Sequence, residues 1–255
     1  MDKKIGAQLF TIRNQMQTIE DFDASLKKIS HMGYKTVQVS GTPLKAKEMR
    51  EVLDKYGVKV VTTHRNFDDF KNNLDEVIEY NKILGSDLCG LGMMPVEYGE
   101  SVESLKSFLK ETDKICETLK KENMYFGYHN HSFELAKLDG RTILDYLISE
   151  TDPSVFNFII DTYWIQMGGK NPAKVIRELK SRAMAIHFKD AKIEQSDWLV
   201  PKIADVGEGN LDWDDIISAC NEAGSKWALV EHDSAKDPFK SLENSYNYLI
   251  TKGFC

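Results

Sequence analysis

The stretch Val52-Leu53-Asp54-Lys55-Tyr56-Gly57-Val58-Lys59-Val60-Val61 decides the fold. Val52, Leu53 and Tyr56 share one helix face, Gly57 supplies the left-handed residue that closes a helix, and the β-branched run after it supplies a strand. The phrase recurs on both sides. Phe22, Leu26 and Ile29 lead to Gly33 and then to Thr36-Val37-Gln38-Val39; Leu74, Val77, Ile78 and Leu84 lead to Gly85 and then to Leu88-Cys89-Gly90-Leu91. A first strand is expected over 5–10. Further on, the longest helix carries Val102, Leu105, Phe108, Leu109, Thr112, Ile115, Cys116 and Leu119 on one stripe. Strands are predicted over 125–128, 156–160, 184–188 and 228–230, and helices over 142–149, Pro172–Leu179, Trp213–Ala223 and 239–250. Eight strands each followed by a helix imply a parallel sheet. A chain of 255 residues matches the usual size of one closed α/β barrel, about 250 residues. The expectation is α/β, a single (β/α)8 TIM barrel spanning residues 1–255 as one domain. An open flavodoxin- or Rossmann-like sheet would want a glycine-rich phosphate loop after the first strand, where this chain reads Phe10-Thr11-Ile12-Arg13-Asn14.

Charge and cysteine usage narrow the function. Lys and Arg number 33 against 40 Asp and Glu, a net charge of -7, which argues against a nucleic-acid partner because phosphate binding relies on excess cation. The four cysteines, Cys89, Cys116, Cys220 and Cys255, show no CxxC spacing, and Cys116 and Cys220 fall on apolar helix faces. No apolar run approaches the roughly 18 residues of a membrane span, and the N-terminus lacks the apolar core of a signal peptide. A cytoplasmic enzyme, without a membrane partner, is expected.

In such a barrel the active site is built where the strands end, and five of the six histidines fall there: His64, His129, His131, His187 and His232. Glu134, Asp161, Asp190 and Glu231 join them. A lone Asp or His at a strand end often caps the next helix. Acidic groups from several neighbouring strands, however, repel one another unless something positive sits between them. One divalent cation, held by carboxylates and an imidazole, would resolve that, with oxygen ligands favouring manganese, magnesium, cobalt or zinc.

The segments Tyr128-His129-Asn130-His131-Ser132-Phe133-Glu134, Ile160-Asp161-Thr162-Tyr163-Trp164, Gly168-Gly169-Lys170-Asn171-Pro172, Ile186-His187-Phe188-Lys189-Asp190, Val206-Gly207-Glu208-Gly209 and Val230-Glu231-His232 resemble the sugar phosphate isomerase/epimerase family, the xylose-isomerase-like barrels that also include endonucleases of the endonuclease IV type. The resemblance covers nearly the whole chain and implies a metal held by Glu, Asp, His and Glu after strands 5, 6, 7 and 8. The last three map onto Asp161, His187 and Glu231. For the first, Glu134 is preferred, because a similar subgroup carries the same His-Asn-His-x-x-Glu run, with His129 the alternative. Gln38 stands where relatives commonly have Glu.

The resemblance implies a metal-dependent isomerase or epimerase of a small ketose, keto-sugar or sugar phosphate, working through an enediolate. Glu134 and Glu231, on opposite sides of the substrate, or His131 would move the proton. Lys189 would balance the developing oxyanion or bind phosphate, Trp164 would stack on a sugar face, and His64, His129 and Glu208 would contact substrate hydroxyls. The alternative with the same metal site is a dehydratase or lyase acting on a keto-inositol or keto-glycoside. An endonuclease would need more metal ligands and a basic surface, and a purely sugar-binding barrel would not need acid and base groups around a metal. A homo-oligomer is open from the sequence.

Overall fold

In the computed structural model, which describes residues 1–195 and 200–255, eight parallel strands close on themselves. They are β1 (Ile5–Gln8), β2 (Thr36–Val39), β3 (Lys59–Arg65), β4 (Leu88–Leu91), β5 (Tyr125–His129), β6 (Phe156–Asp161), β7 (Ala183–Phe188) and β8 (Trp227–Val230). Closure is direct, with Ile5 opposite Ala228 and Ala7 opposite Val230 in parallel register. The predicted alternation holds, and strand ends are where the reading from sequence moved. The first strand stops at Gln8 because its side chain accepts the Phe10 N–H and starts a 3-10 turn. β5 and β6 each run one residue further than expected, to His129 and Asp161.

The glycines at the helix ends behave as the opening phrase requires. Gly33, Gly57 and Gly85 close helices Ile19–Met32, Ala46–Tyr56 and Leu74–Leu84 with φ of 112°, 63° and 72°. Helix Val102–Lys121 buries Leu105, Phe108, Leu109, Thr112, Ile115, Cys116 and Leu119, the anticipated stripe, against the barrel wall. Two short helices, Phe67–Asn72 and Thr162–Met167, were not anticipated; each is capped by the side chain that precedes it, Asn66 and Asp161.

Period two along each strand sends alternate side chains into the barrel. Val61, Leu88, Ile159, Ala185 and Leu229 form a small apolar cluster there, separate from the large one that joins barrel and helices. Packing is close enough to require glycine: a Cβ on Gly90 would lie 2.0 Å from the Thr63 carbonyl oxygen. Two residues after the inward-facing Gly127, Ile159, Ala185 and Leu229 come His129, Asp161, His187 and Glu231. The next inward layer is therefore polar.

Candidate metal centre

His129, Asp161, His187 and Glu231 each direct one nitrogen or oxygen into a shared space, all four atoms within 4.8 Å of one another. They are at most 5% exposed. Neighbouring backbone and side chains fix how three of them are presented. The His129 Nδ1–H donates to the Gly92 carbonyl at 3.0 Å, which turns Nε2 towards Asp161 Oδ2, 3.7 Å away. His187 Nε2 lies 2.8 Å from the Gln38 amide oxygen, a contact that fixes the ring and sets Nδ1 2.9 Å from Glu231 Oε2 and 3.9 Å from Asp161 Oδ2. Asp161 divides its work: Oδ1 accepts the Trp164 N–H and caps the helix, while Oδ2 faces the group. The capping role of a strand-end aspartate and its place in the polar cluster are both realised, one oxygen for each.

Three of the atoms that converge, His129 Nε2, Asp161 Oδ2 and His187 Nδ1, are buried and make no hydrogen bond among the described residues. A buried polar atom without a partner costs about 1–3 kcal/mol, and an ion bound between these atoms would satisfy them together. Two imidazoles, each with its other nitrogen against an oxygen, and two carboxylates, one of them also a helix cap, could hold a metal ion.

Glu134 stands apart from this group. It is fully buried, its Oε1 accepts from the Tyr128 hydroxyl at 2.8 Å and its Oε2 from the His131 backbone N–H at 2.8 Å. Both oxygens are spent on holding the turn after β5, and burial pushes the carboxyl up to about 7 despite those two donors. Within the four-residue group the strand 5 member is His129, the alternative considered from sequence. The parity of the strand carried the signal: His129 follows inward-facing Gly127 by two residues, and Glu134 lies beyond the strand.

Lys189 is not a surface residue. It is 1% exposed, with Nζ 2.6 Å from Asp233 Oδ2, 3.3 Å from Asp161 Oδ2 and 3.5 Å from Glu231 Oε2. Burial alone would push the Glu231 and Asp161 carboxyls up; Lys189 and the histidines outweigh it and hold both below the usual carboxylate range. Asp233, two residues past Glu231, was not anticipated, though the same period-two step would have found it.

A cavity of about 500 Å³ opens above the group, lined in part by His64, His129, His131, Trp164, Lys189 and Glu231. The His64 ring packs against those of His129 and His187, with centroids 4.8 and 5.5 Å apart. Burial, with the neighbouring imidazoles, holds His64 well below the usual histidine range and His131 at about 3, so both are neutral bases. Trp164 lies with its ring 5.1 Å from Lys189 Nζ and 5.6 Å from the His131 ring. Three expected residues fall elsewhere. Glu208 is exposed and does not line the cavity. The loop that carries it is tied to buried Asp190, which accepts from the backbone N–H groups of Gly207, Gly209 and Leu211 and from the Trp213 indole, and so has no free oxygen for an ion. His232 turns to a neighbouring basin beside Tyr163 and Lys236.

Comparison with known proteins agrees with this architecture. The model of the xylose isomerase-like TIM barrel family matches residues 26–251. Among curated proteins, an inosose dehydratase of Lacticaseibacillus casei is 22% identical over 90% of this chain and 86% of its own length. One of Clostridium tetani is 24% identical over 58% of this chain and 52% of its own. A solved sugar phosphate isomerase/epimerase of Parabacteroides distasonis superposes with a TM-score of 0.79 at 22% identity, covering 97% of this chain and 93% of that one. A D-allulose 3-epimerase of Methylomonas superposes with 0.70 at 10% identity, covering 98% and 97%. These structural likenesses speak for the fold. Among the described residues no helix is long and apolar enough to cross a membrane. With nearly all of its length matched and eight strands closed in order, the chain belongs to the xylose isomerase-like TIM barrel family.

Proposed function

We propose that the chain is a divalent-metal-dependent enzyme that removes the proton beside a carbonyl of a small, unphosphorylated polyhydroxylated ketone, with loss of water as the outcome. The observation that carries the reading is the convergence of His129 Nε2, Asp161 Oδ2, His187 Nδ1 and Glu231 Oε2, all buried and within 4.8 Å of one another. These four atoms would hold the metal, and two imidazoles among four donors favour manganese, cobalt or zinc over magnesium. Such an ion supplies Lewis acidity, which polarises the carbonyl and acidifies the neighbouring C–H.

The chain's own groups supply the rest. His131 lines the cavity as a neutral imidazole with an unpartnered buried Nδ1, and would take the proton. The Lys189 ammonium would lie beside the negative oxygen that develops. His131, now an imidazolium, would return the proton to a hydroxyl leaving the next carbon on the same face. The C–H electrons become the new C=C bond, the C–O bond breaks, and oxygen departs as water. The relatives named inosose dehydratase fit this outcome. Epimerisation by two opposed carboxylates fits less well, because both oxygens of Glu134 are engaged away from the group. Isomerisation is the second reading, favoured by His64, a further imidazole in the cavity whose buried Nε2 lacks a partner and could carry a proton.

Charge selects against phosphate. Among the described residues lining the cavity the cations are Arg65 and Lys189. Arg65 is paired with Asp69 at 3.1 Å, and Lys189 with three carboxylates. The test is a panel of free ketoses, keto-inositols and sugar phosphates incubated in heavy water with manganese-loaded protein. Proton NMR should show loss of water from an unphosphorylated keto-inositol or keto-sugar. Deuterium incorporation into an unbroken, isomerised skeleton would instead establish the second reading, and turnover of phosphorylated substrates alone would refute the charge argument.

A further inference from the structure

The oxygens best placed to hold an ion are already engaged with a cation supplied by the chain. Lys189 Nζ lies 3.3 Å from Asp161 Oδ2 and 3.5 Å from Glu231 Oε2, the same two atoms that face His187 Nδ1. Its backbone is held on both sides by one hydroxyl: the Lys189 N–H donates to Thr162 Oγ1 at 3.1 Å, and Thr162 Oγ1 donates to the Lys189 carbonyl at 2.8 Å. Among the described residues the ammonium has one other carboxylate partner, Asp233 Oδ2 at 2.6 Å, on the rim of the same cavity, with the Trp164 ring 5.1 Å away. Its tightest contact is thus to a carboxylate outside the four-residue group.

We infer that Lys189 is a built-in counter-cation that competes with the metal for Asp161 and Glu231, and that Asp233 is the partner holding it when the metal takes those oxygens. The inference rests on the metal-dependent reading above. Without a metal, two buried carboxylates in low dielectric repel each other, and the ammonium keeps them together. With the metal bound, Lys189 on Asp233 stays close enough to meet an oxygen that turns negative, while no longer sharing the ligand atoms. Lys189 thus trades metal affinity for stability of the metal-free protein, and Asp233 limits the loss.

Calorimetric titration of chelator-stripped protein with Mn²⁺, alongside thermal melts with and without the ion, tests this. Lys189→Met should bind Mn²⁺ about tenfold or more tightly, and its metal-free midpoint should fall while the metal-saturated one stays near wild type. Asp233→Asn should weaken binding, and in the Lys189→Met background that weakening should largely vanish, since Asp233 acts through the ammonium. Unchanged or weaker binding by Lys189→Met overturns the inference, as does a midpoint lowered equally with and without metal, the signature of a plain packing role. Should Lys189→Met fail to fold, Lys189→Gln takes its place, with the same expected direction. Wild type that binds no Mn²⁺, Co²⁺ or Zn²⁺ would sink the functional reading together with this one, whereas wild-type binding with indifferent variants sinks this one alone.

Discussion

Two successive layers inside the barrel are built on the same four strands, two residues apart, and have opposite chemistry. The lower, Gly127, Ile159, Ala185 and Leu229, is small and apolar; the upper is His129, Asp161, His187 and Glu231. Both are buried. The lower layer is satisfied by contact alone. The upper meets its carboxylates with the Lys189 ammonium and still leaves His129 Nε2, Asp161 Oδ2 and His187 Nδ1 without a hydrogen bond among the described residues, a cost that a bound ligand would offset. Backbone geometry is therefore silent about function, and the pleat merely decides which side chains share a layer. The strands' C-terminal ends are functional because polar residues stand at inward positions there.

The comparison can be broken most severely at Asp161 or Glu231. Asp161→Asn and Glu231→Gln should each abolish stoichiometric metal retention in elemental analysis and lower turnover by about 10²–10³-fold or more, while circular dichroism stays that of a folded barrel. The neighbouring lower-layer change Ile159→Ala should do the reverse. It should cost about 2–5 kcal/mol in denaturant unfolding yet leave metal stoichiometry intact, and loss of metal in Ile159→Ala would mean that the layers are not separable. The smallest change concerns Gln38, which touches His187 from behind. Gln38→Leu removes that contact and should weaken metal binding by about 10–100-fold, read by calorimetry, without reducing the number of ions bound at saturation.

How far the sequence carried the fold follows from which signals are local. Helix-closing glycines and β-branched runs are decided by a few neighbouring residues, so Gly33, Gly57 and Gly85 announced their helix ends and the strands after them. The short helix Phe67–Asn72 escaped because its six residues hold too little periodicity. At the site, Asp161, His187 and Glu231 were legible as polar residues ending apolar strands. Glu134 was preferred over His129 on the resemblance of its His-Asn-His-x-x-Glu run, whereas the structure engages Glu134 with Tyr128 and the His131 backbone and brings His129 into the group. Lys189 and Asp233 form a pair 44 residues apart in the chain, at 2.6 Å, a proximity that only the neighbouring positions of β7 and β8 create. Glu208 looked functional for sitting between two glycines, yet those glycines serve Asp190, which needs their N–H groups close at hand.

The claim on which the rest depends is that a single ion is gripped by side chains from β5, β6, β7 and β8. Anomalous diffraction from crystals of the protein soaked in Mn²⁺ tests it directly. The account predicts one strong peak within bonding distance of His129 Nε2, Asp161, His187 Nδ1 and Glu231. A peak coordinated by Glu134 in place of His129, or no peak among these residues at full occupancy of the soak, would contradict it.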